Sequence, residues 1–168
     1  MIAPPSCVAC GDLLSEASSM LCMRCSAEIP AAVGSVRPMR PIRACWSLGP
    51  YAGMLGSLVR TAKYQRSLPV ADLLGNLLGA RLRGVVQVDA VVHVPTPWFR
   101  KLYRGFDPSS RIARRVALKM GVPHLGLLRR KNASRQVGKT ASARKRLRPD
   151  AFGVIPQRFP SRVLLVDD

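Results

Sequence analysis

Four cysteines near the start of the chain form two Cys-x-x-Cys pairs, and this pattern constrains the fold more than any other feature. Cys7 and Cys10 make the first pair and Cys22 and Cys25 the second, with eleven residues between the pairs. Each pair can wrap one side of a tetrahedral ion, and the short spacer lets the second pair close the other side. The spacing predicts a structural metal site with four thiolate ligands, for which zinc is the natural ion.

Alternative roles for the four cysteines stay open. The same ligands can hold an iron–sulfur cluster, which we rank below zinc. Two disulfides or four buried thiols are less expected, because residues 1–10 lack the cationic and apolar stretches of a secretory signal peptide. We therefore expect a cytoplasmic protein. Cys45 falls outside the pattern and is predicted to be a small buried side chain.

Length and composition favour one globular domain with a small appendage. The chain has 168 residues, of which 48% are hydrophobic and 21% charged, which is too apolar for a disordered protein. No apolar run approaches the ~20 residues that span a bilayer, so we expect no membrane span. Residues 1–29 are assigned to a zinc ribbon, the proline-containing residues 30–44 to a linker, and residues 45–168 to the main domain.

The positive charge is concentrated in one part of the chain. Lysine and arginine number 27 against 9 aspartates and glutamates, a formal net charge of +18. Residues 98–148 alone carry 16 basic side chains and one acid, which gives +15. Such a segment attracts nucleic acid, an anionic membrane surface or a phosphorylated small molecule, and a solubilising face is the plainer alternative.

Apolar periodicity predicts the elements of the main domain. Helical spacing occurs in three segments, residues 51–62, 70–82 and 108–120, the last capped by Ser109 or Ser110. Short apolar runs predict four strands, at residues 45–48, 88–94, 151–155 and 162–166. Alternating strands and helices favour a parallel α/β sheet, whose ligands bind beyond the carboxyl ends of its strands.

Two adjacent acids, Asp167 and Asp168, follow the last predicted strand at once. At the carboxyl edge of a parallel sheet, such a pair can accept hydrogen bonds from a vicinal diol or hold a divalent cation. An ordinary polar segment is the plainer interpretation. His93, at the end of an earlier strand, is expected to be a hydrogen-bonded interior residue, because no second histidine or acid stands at a useful spacing.

Aromatic and basic residues alternate just after the strand at residues 88–94. Arg100, Lys101 and Arg104 are interleaved with four aromatic residues, Trp98, Phe99, Tyr103 and Phe106. These rings can contact nucleic-acid bases. Packing of the rings on the core is the outcome we favour, since aromatic residues are more often buried.

Several short motifs follow one another along nearly the whole chain. They are Tyr51-Ala-Gly, Lys63-Tyr64, Val94-Pro95-Thr96-Pro97, Arg104-Gly105-Phe106, Arg129-Arg130, Gln136-x-Gly138 with Arg144, Ala151-Phe152, and Leu164-Leu165-Val166-Asp167-Asp168. Together with the paired cysteines, they resemble the ComF family, competence-associated proteins that look like type I phosphoribosyltransferases with an N-terminal zinc ribbon. The resemblance implies a type I phosphoribosyltransferase-like parallel sheet.

The resemblance also implies ligand roles for particular residues. Asp167 and Asp168 would bind the ribose hydroxyls of phosphoribosyl pyrophosphate, with a magnesium ion. The pyrophosphate would be bound by the segment that contains Arg100, Lys101, Arg104 and Gly105. Residues 129–148 would form a flexible flap over the ligand, to which Arg129, Arg130, Gln136 and Arg144 belong. An enzyme of this kind is a glycosyltransferase that displaces pyrophosphate from the anomeric carbon.

The sequence departs from the family pattern in several places, of which two bear on the ligand site. In the family, the acidic pair is followed by a V-x-T-T-G-A-T loop that cradles the 5-phosphate, and here the sequence stops at Asp168. We therefore expect a phosphoribosyltransferase-like domain that is incomplete at its C-terminus and catalytically impaired. Asp107 and Pro108 replace the usual N-Q after R-G-F, and an acid at position 107 would repel phosphate if it faced the site.

Three functional hypotheses follow. The first is a ComF-like protein that binds phosphoribosyl pyrophosphate or a related phosphate ligand in its complete form. The second is a zinc-ribbon accessory protein of DNA uptake that grips the phosphate backbone with its basic segment. The third is a protein that docks on an acidic partner surface, such as a helicase of the uptake machinery.

Overall fold

The computed structural model describes residues 4–16, 19–131, 151–156 and 158–168. Residues 132–150, which hold most of the predicted flap including Gln136 and Arg144, lie outside the described residues. No helix in the described ranges is both long and apolar enough to cross a membrane. The fold is mixed α/β with a small parallel sheet.

The N-terminal segment has little regular structure. A single antiparallel bridge joins Ser6 to Leu13, and a short helix, α1, spans Met23–Ala27. Strand β1 (Gly34–Val36) pairs antiparallel with β2 (Cys45–Ser47). The segment predicted as a linker thus contains a strand that the sequence analysis did not predict, while the expected strand at residues 45–48 is present as β2.

Four longer elements are helices: α2 (Gly53–Tyr64), α3 (Leu68–Leu82), α4 (Trp98–Arg104) and α5 (Pro108–Met120). The predictions for α2, α3 and α5 are confirmed, and α5 has the predicted bounds. The segment that becomes α4 was not predicted to be helical. This helix follows the segment Pro95-Thr96-Pro97 and ends at Arg104. Its C-cap is Gly105, whose φ of 79° is left-handed.

The N-cap of α5 is Asp107, and the prediction of Ser109 or Ser110 was wrong. The Asp107 carboxylate accepts a hydrogen bond from the backbone N–H of Ser110 at 3.3 Å. Its two oxygens also accept from the N–H and the hydroxyl of Thr96, each at 2.9 Å. Asp107 is buried, so its charge is used to cap a helix and to tie down the preceding loop.

The parallel sheet has three strands, with β3 (Ala90–His93) in the centre. It pairs with β4 (His124–Leu125) on one side and with β7 (Val163–Val166) on the other, both parallel. The strands predicted at residues 88–94 and 162–166 are therefore confirmed. The strand predicted at residues 151–155 exists as β6 (Phe152–Val154), but it pairs antiparallel with β5 (Leu128–Arg130) outside this sheet.

The core lies where α3 and α5 pack together over one face of the sheet. A Cβ at Gly75 would lie 2.6 Å from the Arg115 Cβ, and one at Gly79 would lie 2.9 Å from the Val116 Cα. Both glycines therefore let the two helix backbones approach closely. At one end of this contact, Asp72 on α3 receives hydrogen bonds from Arg111 at 2.7 Å and from Arg115 at 2.6 Å.

Those two arginines fix the charge of Asp72. Partial burial alone would raise the pKa of this carboxyl group, but the hydrogen bonds from Arg115 and Arg111 lower it to about 2. Asp72 is therefore ionised across the physiological range. The bidentate contact joins α3 to α5 with a geometry that lysine could not reproduce.

Candidate metal centre and ligand site

The four cysteines of the paired motif meet at one point. The sulfur atoms of Cys7, Cys10, Cys22 and Cys25 all lie within 4.8 Å of one another. The Cys10 and Cys22 sulfurs are 3.7 Å apart, close to the ~3.8 Å that a tetrahedron with zinc–sulfur bonds of about 2.3 Å requires. These residues can hold a metal ion, and their chemistry is compatible with structural zinc.

The local fold brings these sulfurs together. Cys22 is the N-cap of α1, and its sulfur accepts from the Cys25 backbone N–H at 3.5 Å. All five cysteines are free thiols, so the two-disulfide alternative is absent from this structure. Burial opposes ionisation of Cys7, but backbone hydrogen bonds at Cys22, Cys10 and Ala9 lower its pKa to about 6, whereas burial and the neighbouring cysteines raise the pKa of Cys25. A thiol that ionises readily is suited to metal ligation.

Cys45 lies outside the cluster. It is the first residue of β2 and is half-buried. The prediction of a buried side chain is therefore only partly correct, and the cysteine cluster does not include Cys45.

Asp167 and Asp168 lie at the carboxyl edge of the parallel sheet. They directly follow β7, and beside them the backbone N–H of Val94, just past β3, donates to the Val166 carbonyl at 3.0 Å. The Ser109 hydroxyl, in the first turn of α5, lies 2.9 Å from Asp168 Oδ1 and 3.3 Å from Asp167 Oδ1. Lys63 Nζ donates to the Asp168 main-chain oxygen at 2.8 Å and lies 3.6 Å from Asp168 Oδ2.

This acid pair accepts fewer hydrogen bonds than it has capacity for. The Ser109 hydroxyl carries one proton, so it can satisfy only one of the two carboxylates at a time. Asp168 Oδ2 is buried and has no hydrogen-bond partner among the described residues. Desolvation of its carboxyl group, with the nearby charge of Asp168, raises the pKa of Asp167. The pair is thus arranged to accept donors such as hydroxyl groups, or to bind a cation.

Three of the predicted phosphate-binding residues lie on α4. Arg100 and Lys101 are exposed, and neither forms a hydrogen bond or ion pair with a side chain of the described ranges. The Arg104 guanidinium stacks 5.7 Å from the centre of the Tyr64 ring, at the end of α2 that also carries Lys63. Arg104 therefore lies beside Tyr64, the sequence neighbour of Lys63, which contacts Asp168. Among the described residues, no hydrogen bond or ion pair joins α4 to the two acids.

Two of the four aromatic residues of this segment are exposed, so the packing that we favoured from sequence is wrong for those two. Trp98 is 66% exposed and Tyr103 69% exposed, while Phe106 packs against the core. The Arg66 guanidinium lies 4.4 Å from the centre of the Tyr103 ring. The cause is that α4 buries none of its residues and lies on the surface of the molecule.

Two of the predicted flap residues are described. Arg129 and Arg130 belong to β5, where Arg129 is exposed and Arg130 stacks 5.1 Å from the centre of the Phe152 ring. They are held in a two-stranded ladder with β6.

His93 has a partner that sequence spacing could not reveal. Its Nδ1 lies 3.0 Å from Nε2 of His124, which stands 31 residues later on the neighbouring parallel strand. Burial lowers the pKa of both imidazoles. His93 is therefore hydrogen-bonded, as expected, but it is half-buried and not an interior residue, and its partner is a second histidine that sequence spacing did not reveal.

Comparisons with models of protein families, with curated proteins and with solved structures found no match to this chain.

Sequence reasoning missed two residues of the acid site. Lys63 and Ser109 supply its donors, yet they lie 105 and 59 residues from Asp168. Lys63 belongs to a motif singled out from the sequence, which was the available signal for it. Ser109 was considered only as a helix cap. Because Asp107 takes that role, the Ser109 hydroxyl is free to face the carboxylates.

Proposed function

We propose that this chain is a ComF-like protein of the type I phosphoribosyltransferase class, which in its complete form binds phosphoribosyl pyrophosphate or a closely related sugar phosphate. The observation that carries the proposal is the acid pair at the mouth of the parallel sheet, with more acceptor capacity than its neighbours fill. A vicinal diol would supply hydrogen-bond donors to such a pair. Parallel sheets bind their ligands at this edge.

The role of each acid follows from its surroundings. Asp168 is oriented by Ser109 and Lys63, so its carboxylate is held in one position with one oxygen left without a donor. Asp167 is more exposed and accepts only the longer bond from Ser109. Ribose hydroxyls would donate to these oxygens, and a magnesium ion bound with the pyrophosphate would lower the repulsion between acids and phosphates.

The pyrophosphate would be attracted by the cations of α4. Arg100, Lys101 and Arg104 are close in sequence to the carboxyl end of β3, and they have no acid partner among the described residues. Asp107, the acid that would repel phosphate if it faced the site, accepts hydrogen bonds from Thr96 and Ser110. Its carboxylate therefore stabilises the loop between β3 and α5 and is compatible with a phosphate site nearby.

The test is thermal unfolding of the complete form, extended by the phosphate loop of the family pattern, with magnesium and phosphoribosyl pyrophosphate. A ligand at a hundredfold excess over its dissociation constant stabilises the folded state by about 2.7 kcal/mol, so we expect the midpoint to rise by about 5–10 °C. Asp168→Asn removes the charge with little change in shape and should abolish this rise. The matched control is Asp89→Asn, an exposed acid paired with Arg162 away from the site, which should keep it. An equal rise in both variants would reject the proposal.

We also propose that the four cysteines bind structural zinc. Zinc would crosslink two loops that bury few apolar side chains and would leave no open coordination position for catalysis. Metal analysis of the purified protein should find about one equivalent of zinc, and less than half an equivalent would argue strongly against this assignment.

A second candidate function is binding of single-stranded nucleic acid, and it has its own support. Tyr64, Trp98 and Tyr103 are each more than 60% exposed, and arginines stack on two of these rings. Exposed rings beside cations are suited to base stacking and backbone contact.

Salt dependence distinguishes this candidate from the first. Binding of an oligonucleotide should weaken by orders of magnitude between 50 and 200 mM salt, by analogy with other basic proteins. Tyr103→Ala should weaken binding by about 1–3 kcal/mol if the ring stacks on a base. An affinity for oligonucleotide that is unchanged by salt and by Tyr103→Ala would exclude this candidate.

A further inference from the structure

A mainly apolar cavity lies beside the acid pair. It has a volume of about 270 Å³, and its walls come from α2, α3, α5 and the loop that follows β2. The helices contribute aliphatic side chains, among them Leu55, Leu74, Leu78 and Ile112. The loop contributes Tyr51, which is 63% exposed and therefore stands at the rim.

The size and lining of this cavity define what can fill it. An apolar cavity of about 150 Å³ in another protein stays dry and binds benzene, so 270 Å³ accommodates one aromatic ring with a substituent. It is smaller than the roughly 300–1,000 Å³ of sites for drug-sized molecules. Because most of the wall is aliphatic, water in the cavity would find few hydrogen-bond partners. The body of a ligand should therefore be flat and apolar.

The polar end of the cavity sets the charge of the ligand. Asp167, Asp168 and Lys63 line this end, so two carboxylates face one ammonium group. Lys63 directs its short hydrogen bond to a main-chain oxygen, and this leaves the carboxylates incompletely compensated. The cavity is locally negative within a chain of net charge +18. Cations and N–H donors are favoured there, and anions are repelled.

We propose that this cavity binds a flat aromatic molecule with a cationic or N–H donor group, its ring among α2, α3 and α5 and its donor against the acid pair. The cavity shares Asp167, Asp168 and Lys63 with the proposed sugar-phosphate site, but binding of this molecule needs neither phosphate nor magnesium and can be tested without them. A phosphorylated ligand does not suit the cavity itself, since aliphatic walls and carboxylates would both oppose its charge.

The test compares two small probes of the same shape and opposite charge. Benzamidine carries an amidinium on a benzene ring, and benzoate carries a carboxylate at the same position. Ligand-observed NMR on the metal-loaded full chain, without magnesium or sugar phosphate, gives both affinities. We expect benzamidine to bind with a dissociation constant of about 1 mM or tighter and benzoate to bind at least about tenfold more weakly.

Two variants locate the binding. Leu78→Trp should fill the cavity and weaken benzamidine at least about tenfold, while Leu68→Trp, on the same helix at a position 42% exposed and outside the cavity, should leave it unchanged. Asp167→Asn should also weaken benzamidine about tenfold, and Asp89→Asn should not. If Leu78→Trp does not fold, the two probes and the aspartate variants decide the question.

Three results would overturn the proposal: no binding of benzamidine, equal affinity for benzoate, or an unchanged affinity in folded Leu78→Trp. Each leaves the sugar-phosphate proposal intact, because that proposal is tested by ligand-induced stabilisation in the presence of magnesium. Conversely, failure of the sugar phosphate to stabilise the protein leaves the benzamidine result unaffected.

Discussion

Residues 4–30 and the body formed by α3, α5 and β3 are held together in different ways. In the described part of residues 4–30, the buried hydrophobic side chains are those of Cys7 and Cys25, both members of the metal cluster. In the body, aliphatic side chains such as Val70, Val91 and Val116 are fully buried. We expect residues 4–30 to depend mainly on metal ligation and the body on apolar packing, although Cys7 and Cys25 also belong to the hydrophobic cluster of the body. Loss of metal and loss of packing should therefore have their largest effects in different regions.

The largest effect is expected from removal of a metal ligand. Cys25→Ser should lose the bound metal, and structural zinc in small modules contributes about 10–16 kcal/mol of apparent binding free energy. Residues 4–30 should then lose their hydrogen-exchange protection, whereas α3 and α5 should keep theirs. Metal analysis combined with hydrogen exchange measures both outcomes.

Cys45→Ser is the matched control for this variant, since Cys45 lies outside the cluster. It should retain metal and the exchange pattern of the parent chain. Full retention of metal in Cys25→Ser would refute the ligand assignment. Loss of protection in α3 and α5 together with residues 4–30 would show that the two regions are not independent.

A smaller effect is expected from crowding the contact between α3 and α5. Gly75→Ala places a Cβ 2.7 Å from the Ile112 carbonyl oxygen, and this backbone atom cannot move aside cheaply. The steric cost should exceed the ~1 kcal/mol that alanine gains in a helix, for a net loss of about 1–3 kcal/mol. Denaturant unfolding measures this loss, and metal content should stay unchanged.

Gly126→Ala is the control, because a Cβ there meets no heavy atom within 4 Å and the residue has no positive φ. Its stability should stay within about 0.5 kcal/mol of the parent. If Gly75→Ala proved equally neutral, close approach of the two helices would not be a source of stability in the body.

The smallest effect concerns pH, and it acts on the body alone. Burial lowers the pKa of His93 and of His124 below the ordinary 6.5. At His93, the charge of Asp107 opposes this shift and that of Lys101 adds to it. At His124, the charge of Arg114 adds to it. Below pH 6.5 the unfolded chain takes up more protons than the folded one, so stability should be full above pH 6.5 and fall as pH decreases. The slope should not exceed about 1.4 kcal/mol per pH unit for each extra proton.

Denaturant unfolding between pH 7.5 and pH 5 measures this slope. Hydrogen exchange of the α5 amides over the same pH range shows whether the loss of stability lies in the body. His124→Phe, which removes one imidazole and keeps a ring of similar size, should reduce the slope. An identical slope in this variant would mean that the histidine pair does not cause the acid sensitivity.

The sequence predicted those elements whose signals are local. The helix α5 was predicted with its bounds because its apolar residues recur at helical spacing on one face. The helix α4 was missed because it buries none of its side chains and therefore has no apolar stripe to detect. The strand β6 was predicted from its apolar run, but its antiparallel partner depends on tertiary structure.

The residues of the candidate sites also fall into those that the local sequence predicts and those whose contacts depend on tertiary structure. The cysteine cluster could be predicted because its four ligands are spaced for one ion along a short segment. The placement of Asp167 and Asp168 at a sheet edge could also be predicted, since the strand before them is a clear apolar run. The contacts to Lys63 and Ser109, and the pairing of His93 with His124, depend on which strands become neighbours, and sequence spacing carries no information on that choice.

The pairing of His93 with Val166 determines more than the sheet itself. Side chains alternate along a strand, so a shift of β7 by one residue along β3 would turn Leu164 and Val166 towards solvent. The same shift would carry both carboxylates about 3.3 Å from their present neighbours. The positions of the two carboxylates thus depend on the backbone hydrogen bonds between β3 and β7. Substitutions that weaken this pairing could abolish ligand binding even though every charged side chain is retained.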